Sequence, residues 1–516
     1  MTILTKIHPN TYVDSVSLMA LSTRANQLDG VEQVIIAMAT EMNKEVMGNV
    51  GLLTAEISTA QTSDLVIALS VEHQEDAAEV MERVETLMKE KNTQTKSTGN
   101  EVFTTIEVAK TAKPDANLAM ISVNGKFAAR EARKALNNDL HVMMFSDNLT
   151  IAEEVELKTL AHDKGLLMMG PDCGTAIIDN IGLCFANKVR QGSIGVIAAS
   201  GTGSQEISVR VHEFGEGISQ LIGTGGRDLS EEVGGIMMLD ALDALEADPA
   251  TKVIVLVSKP PAKAVEEKIL ARAKELTKPI VVWFIGSELR ENEKNVHFEK
   301  YSKKAALKAV ELAGIDLAKL DSHPLNLPLI AEVQQKLVSE QKYIRGLFTG
   351  GSLCDEAMFL AMESFEDVYS NLSRDKQHLL SYSDASKHHT FIDFGADEFT
   401  NGKPHPMIDP SNRIERFKVE AKDPSVGVIV MDFVLGYGAN ADPVGVLLPE
   451  MKAAKEQAEK EGRHLEIIGY VLGTELDAQN LDEQIEKLTS IGATYASSSQ
   501  NAGLLAREFV MKGAKQ

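Results

Sequence analysis

Residues 192–206 read Gly192-Ser193-Ile194-Gly195-Val196-Ile197-Ala198-Ala199-Ser200-Gly201-Thr202-Gly203-Ser204-Gln205-Glu206. Ile194 to Ala199 is a short apolar run set off by glycine, the pattern of a strand buried on both faces of a parallel sheet. The run stops in small residues, Ser200 to Ser204, and helical spacing then begins with Ile207, Val211 and Phe214. A strand that passes through a small-residue turn into a helix leaves free N–H groups in front of the turn. The positive end of the helix dipole points the same way. Gly201 and Gly203 let a ligand come close to the backbone. Ser200, Gly201, Thr202 and Gly203 are therefore candidate anion ligands, although the same residues also suit an ordinary tight turn. Glu206, in the first turn, is a candidate cap, acid, base or acceptor.

Downstream the plan repeats. Ile218 to Gly223 is a strand that ends in Gly225-Gly226-Arg227-Asp228, and Val253 to Ser258 is a strand that ends in Lys259-Pro260-Pro261. Arg227 and Lys259 stand just past strand ends, where each is a candidate anion ligand or a surface ion pair. Upstream, Leu118 to Val123 turns at Asn124-Gly125. Leu140 to Phe145 stops at Ser146-Asp147, and Leu166 to Met169 stops at Gly170-Pro171-Asp172-Cys173-Gly174. Alternating strands and helices predict a doubly wound α/β fold, whose ligands sit at the carboxyl ends of the strands. Asn124, Gly125, Pro171 and Asp172 fall there and are candidate substrate ligands in one crevice. His141, inside a strand, reads as packed. Cys173 has no catalytic partner nearby in the sequence.

Residues 315–345, with Pro324 and Pro328, read as a linker. Beyond it, Ile344 to Thr349 is a strand, and Gly350-Gly351-Ser352-Leu353-Cys354-Asp355-Glu356 opens a helix. This echoes the first turn, so Gly350, Gly351 and Ser352 are candidates for the other side of a shared anion. Further strands are expected at His389 to Phe394, Val426 to Asp432, Glu466 to Leu472 and Thr494 to Ala496. His405 lies between prolines in Gly402-Lys403-Pro404-His405-Pro406, which restricts its backbone. It is a candidate for orientation or proton transfer, or a shaper of its loop.

Residues 1–95 read as a small α+β domain of ferredoxin-like type, suited to regulation or assembly. Strands are expected at Ile3 to His8, Val31 to Met38 and Asp64 to Leu69. Helices are expected at Asp14 to Leu28, Asn43 to Gly48 and Asp76 to Lys91. Asp14-Ser15-Val16-Ser17 is a plain cap or a helix start facing a ligand. Residues 93–115 read as a connection.

A chain of 516 residues needs several cores. Its net charge of −23 excludes nucleic acid and acidic membrane surfaces as partners, and 5% aromatic residues leave little to stack on bases. Three cysteines, Cys173, Cys184 and Cys354, show no metal spacing, so no metal is expected and a reducing cytoplasm is. No apolar run has the length of a membrane span, and the first residues are not a secretory signal.

Met169-Gly170-Pro171-Asp172-Cys173-Gly174, Gly195 to Thr202 and Glu206 resemble the alpha-type half of the ADP-forming acyl-CoA synthetases, such as succinyl-CoA synthetase. That likeness runs from about Ala116 to Ile285, and the C-terminal third resembles the end of the beta-type half. Val142-Met143-Met144-Phe145-Ser146-Asp147-Asn148, Gly225 to Ser230 and Gly402 to Pro410 resemble the FdrA family. The resemblance implies four domains. A ferredoxin-like domain spans 1–95 and a Rossmann-like CoA-binding-type domain spans 115–190. Two flavodoxin-like, succinyl-CoA synthetase-like domains span 191–322 and 343–516. It also implies that the turns at Ser200 and Gly350 hold phosphate between them.

The sequence departs from the synthetases at three points. Ser287-Glu288-Leu289-Arg290-Glu291-Asn292 replaces their phosphorylated histidine setting, and His297 does not restore it. Their Gly-rich CoA loop is absent, and so is an ATP-grasp domain. By resemblance the chain is one subunit of an oxamate carbamoyltransferase of anaerobic allantoin degradation. Phosphate or carbamoyl phosphate would be its substrate and two further protein subunits its partners. A homodimer is compatible with this, and CoA enters only if another element holds it. The alternatives are an acyl-CoA synthetase subunit without its own ATP-grasp domain, and a non-catalytic anion-sensing or scaffold subunit.

Overall fold

In this computed structural model Val34, Ile36 and Met38 alternate into a core, while Leu65–Val71 is buried at every position. A strand buried on both faces needs cover on both sides, and the first of two compact units, essentially residues 1–103, provides it. Strands β1 (Thr2–His8), β2 (Val31–Met38) and β3 (Leu65–Val71) pair antiparallel in the order β1-β3-β2. Helices α1 (Ser15–Asn26) and α4 (Ala77–Ser97) cover one face through Leu18, Leu21, Val80 and Val84. Helices α2 (Glu41–Asn49) and α3 (Ala55–Thr59), with the loop between them, cover the other through Met47, Leu52 and Ile57. Residues 93–97, expected in a connection, continue α4. The structure describes all residues except 1, 12, 14, 27, 29, 72–76, 98–100, 382–383, 401–403 and 512–516. The proposed ligand-facing Asp14, the helix start at Asp76 and the Gly402-Lys403 part of the histidine motif lie outside the described residues.

The second unit begins with α5 (Ile106–Ala112) and a parallel sheet of β4 (Leu118–Ile121), β5 (His141–Met144) and β6 (Met168–Met169) in sequence order. Its helices are α6 (Gly125–Asn137) and α7 (Ile151–Asp163). Ala128, Ala132, Ala135 and Leu136 give α6 its buried stripe at helical spacing.

The hairpin of β7 (Thr175–Ile178) and β8 (Ile181–Cys184) leaves this sheet and joins the next. That sheet contains β9 (Gln191–Ala198), β10 (Ile218–Gly223), β11 (Val253–Ser258), β12 (Ile280–Phe284) and β13 (Val296–Phe298). Its order is β13-β12-β11-β9-β10-β7-β8. Helices α8 (Gly201–Glu213), α9 (Ile236–Ala247), α10 (Lys263–Ala273) and α11 (Ser302–Leu312) flank it.

Residues 315–345 are not a plain linker. They contain α12 (Leu327–Lys336), with Pro328 in its first turn, where a missing N–H leaves nothing unpaired.

The last sheet is parallel throughout, in the order β15-β16-β14-β17-β18-β19. Its strands are β14 (Tyr343–Phe348), β15 (Val368–Ser370), β16 (His389–Asp393), β17 (Val426–Val434), β18 (Glu466–Leu472) and β19 (Thr494–Ala496). Its helices are α13 (Gly351–Met362), α14 (Asp397–Thr400), α15 (Ser411–Glu420), α16 (Pro443–Lys460), α17 (Leu481–Ser490) and α18 (Ser499–Val510). In the larger sheets β9 lies between β10 and β11, and β14 lies between β16 and β17, with the short β15 added at the edge beyond β16. That is the flavodoxin-like order, with its ligand position at the carboxyl end of the first strand. The turns at Ser200 and Gly350 stand at those two places.

Candidate anion site between two helix starts

Ser200 caps α8, its hydroxyl accepting the Gly203 N–H at 3.0 Å. The corresponding cap of α13 is Gly350, which has no side chain to do this. Asp432, at the end of β17, holds that turn instead. It accepts the N–H groups of Thr349 and Gly350 at 2.7 and 2.9 Å and the Thr349 hydroxyl at 2.9 Å. Arg413, itself buried, pairs with Asp432 at 2.8 Å. The two helix starts then meet. The Ser200 hydroxyl hydrogen-bonds that of Ser352, and a Cβ on Gly350 would lie 2.8 Å from the Thr202 methyl. Two positive helix ends side by side favour a negative charge between them.

Around this junction the other strand ends supply side chains. Lys259 pairs with Asp355 at 3.2 Å, and its Nζ lies 3.3 Å from where a Cβ on Gly351 would be. Asp393 Oδ2 lies 2.6 Å from the same point. Its Oδ1 accepts the Gly395 N–H at 2.8 Å. His405 Nε2 lies 2.8 Å from a Gly395 Cβ position, so the histidine is brought beside Asp393. Burial pushes the His405 imidazole down to about 4. Nδ1 accepts the Met407 N–H at 3.2 Å, which leaves the ring proton on Nε2. On the α8 side, the hydroxyl of buried Thr175 has no hydrogen-bond partner and lies 3.6 Å from a Gly201 Cβ position.

Glu206 has another task. Its carboxylate is fully buried and accepts the Ser499 N–H at 3.3 Å, the Ser302 hydroxyl at 3.4 Å and the Tyr470 hydroxyl. Glu356, at the matching place in α13, accepts the Ser302 N–H at 2.7 Å and its hydroxyl at 2.9 Å. Each glutamate thus caps a helix of the other domain, Glu206 the start of α18 and Glu356 the start of α11. Burial first, and then the charge of Glu206, pushes Glu356 up to about 7; burial also raises Glu206. Glu206 positions two domains rather than serving as the acid or base of the junction.

The remaining candidates gather around Asp147 and Gly225. Asn124 caps α6, accepting the Lys126 N–H at 3.1 Å. A Cβ on Gly125 would lie 2.1 Å from the Asp147 carbonyl, so that glycine serves close packing. Pro171 follows a cis peptide bond, and its carbonyl lies 2.2 Å from a Gly225 Cβ position. Surrounding protein, and then the charges of Asp147 and Asp397, push Asp172 up to about 7. Arg227 is engaged by Glu154 at 3.0 Å and by the Leu149 carbonyl at 2.9 Å, and so is a structural ion pair rather than a free anion ligand. Cys173 is buried, its thiol pushed up to about 12 by burial, and is inert. His141 accepts the Leu167 N–H at 2.9 Å in a packing role. His297 lies on the edge strand β13. Asp393, Asp432, Arg413, Thr175 and Glu356 were not singled out from the sequence. The strand-end rule reaches Asp393 and Asp432; nothing local marks the others.

Three family models match parts of the chain: the AllF, heavy metal-associated domain over residues 1–104, the CoA binding domain over 189–286 and CoA-ligase over 347–509. The Escherichia coli (strain K12) protein described as Uncharacterized protein YahF is 58% identical over 509 residues, covering 98% of both chains. The chain belongs to the YahF family.

A Staphylococcus aureus succinate–CoA ligase [ADP-forming] subunit alpha is 30% identical to this YahF-family chain over 194 residues. The match covers 37% of the chain and 62% of the subunit, so less than two thirds of that relative is matched. The solved apo form of a dinucleotide-forming acetyl-coenzyme A synthetase 1 from Ca. Korarchaeum cryptofilum shares 15% identity. It covers 80% of the YahF-family chain and 86% of its own, with a TM-score of 0.34. The scaffold is of the succinyl-CoA synthetase type, with a small α+β domain in front.

The name of the first domain model implies a metal. Heavy-metal sites use soft thiolate ligands, and residues 1–104 contain no cysteine. Among the described residues no group of three His, Cys, Asp or Glu is placed to hold an ion. The described residues of this domain offer no thiolate site for a heavy metal. No helix among the described residues is long and apolar enough to cross a membrane.

Proposed function

We propose that this chain is the anion-handling subunit of a phosphate-dependent carbamoyltransferase. It would interconvert oxalurate plus phosphate with oxamate plus carbamoyl phosphate, alongside two further protein subunits in the cytoplasm. One observation carries the reading: the starts of α8 and α13 meet at Ser200 and Ser352, with Lys259 beside them. Phosphate seated across Ser200, Gly201, Thr202, Gly203, Gly350, Gly351 and Ser352 would have its charge taken by the N–H groups of these helix starts other than those of Gly203 and Gly350, which Ser200 and Asp432 already hold. A phosphate oxygen attacks the carbamoyl carbon of oxalurate and forms a C–O bond, and the same donors stabilise the tetrahedral oxyanion. The C–N bond then breaks. The departing oxamate nitrogen needs one proton, which His405 holds on Nε2. Such a reaction depends on placement and requires no covalent enzyme intermediate.

The test is product formation from oxamate and carbamoyl phosphate, by this chain alone and with the co-purified products of neighbouring genes. Turnover that needs the partners supports the reading. Phosphate binding without turnover in either mixture replaces it with an anion-sensing or scaffold role.

A second reading, an acyl-CoA synthetase subunit whose ATP-grasp part is a separate chain, is favoured by the CoA binding and CoA-ligase matches. ATP- and CoA-dependent thioester formation with a partner would support it. Against it stand the absent Gly-rich CoA loop and the run Ser287 to Asn292 in place of the phosphorylated histidine setting.

A further inference from the structure

Asp393 ends β16 and stands where a ligand of α13 would stand. Its Oδ2 and Lys259 Nζ both face Gly351, the first residue of that helix, at 2.6 and 3.3 Å from a Cβ position there. The positive end of α13 is thus filled by a carboxylate of the chain's own, with a lysine as counter-ion. An incoming dianion meets that charge head-on. The α8 side is different. There the buried, unpartnered Thr175 hydroxyl looks toward Gly201 and has no acceptor or donor of its own. One half of the junction offers an unpaired hydroxyl, and the other faces the Asp393 carboxyl.

We propose, on the basis of the anion-site reading above, that Asp393 is the positioning residue that gates this junction. An anion settles across both turns only after Asp393 has taken up a proton from solvent, and the bound anion then keeps that proton in place. Lys259, released from its second carboxylate, turns its charge to the anion. The charged and titratable groups facing Asp393 are Lys259 after β11, Asp355 and the buried Cys354 thiol on α13, Asp432 at the end of β17, and neutral His405 across Gly395. Asn371 ties the Asp393 carbonyl to Glu398 of α14. Burial raises Asp393, and the charges of Asp355 and Asp432 add to this against Lys259 and the Gly395 N–H. The carboxyl is pushed up to about 7. The gate therefore switches close to neutral pH.

Sulfate is the probe, because its own charge is constant across the range needed, from about pH 5.5 to about pH 9. Calorimetric titration of the full chain, in two buffers of different ionisation heat, reads both Kd and proton uptake. The expected result is a Kd that is flat below about pH 7 and rises about tenfold per pH unit above it, with about one proton taken up per sulfate near pH 8. Asp393→Asn should still bind sulfate, with a flat profile and no proton uptake. A flat profile in the unmodified protein overturns the gate while leaving the anion site intact. A tenfold slope that survives in Asp393→Asn overturns it too. Sulfate binding at no pH overturns the anion site, and the gate with it. Proton counting on the unmodified chain is decisive even if the variant does not fold.

Discussion

The turns that open α8 and α13 share a backbone plan and differ in what holds them. Ser200 caps its own helix from one residue away. Gly350 leaves the work to Asp432, 82 residues further along the chain, and Arg413 holds Asp432 in turn. Glycine is required at 350 because Thr202 of the other turn presses against it. A turn that carries its own cap is a local object; one stripped to glycine for a close approach must be braced from the core. The two therefore differ in what breaks them.

Asp432→Asn should do the most damage. It leaves Arg413 charged, buried and unpaired, a loss of about 3–5 kcal/mol, which urea unfolding will read directly; a change below about 1 kcal/mol would show that the turn is not braced from β17. The pair of crossed glutamates comes next. Glu356 titrates near 7 in the folded chain and near 4.3 when unfolded. A raised carboxyl contributes stability that is full below the unfolded value and is lost as pH rises toward the folded one. Tm should therefore fall between about pH 4.5 and about pH 7 in the native protein, and fall less in Glu356→Gln. Gly350→Ala should cost about 1–3 kcal/mol by overpacking against Thr202. Gly201→Ala, whose new methyl finds its nearest neighbour at 3.6 Å, should be neutral or slightly stabilising. Equal effects at the two glycines would abolish the contrast. Ser200→Ala should cost about 1 kcal/mol as a lost cap, measured by the same unfolding curves.

What the sequence revealed follows the same division. The strand, turn and helix of residues 192–206 were legible because the pattern is local and repeats at 344–356. Alternating elements gave the doubly wound α/β fold, and the flavodoxin-like domains came from the family resemblance. The bracing of α13 was not legible, since Asp432 and Asp393 become neighbours of Gly350 and Gly351 only through strand pairing. Glu206 read as a cap, acid, base or acceptor at its own helix start because Ser499 and Tyr470 lie more than 260 residues away. Helix α12 was hidden by prolines that read as a linker, although Pro328 sits where a helix tolerates it. The hairpin β7–β8 lies within 115–190, the span the resemblance gives to the first α/β domain, yet it pairs with β10 of the next sheet.

The exchange of caps, with Glu206 serving α18 and Glu356 serving α11, makes each half the other's missing part. A chain cut between the two large sheets keeps every such bond, because none runs through the connecting segment. Two separately made halves should accordingly seek each other out and rebuild the junction in trans. Apart, one half would leave the Ser302 N–H of α11 and the other the Ser499 N–H of α18 without its glutamate partner.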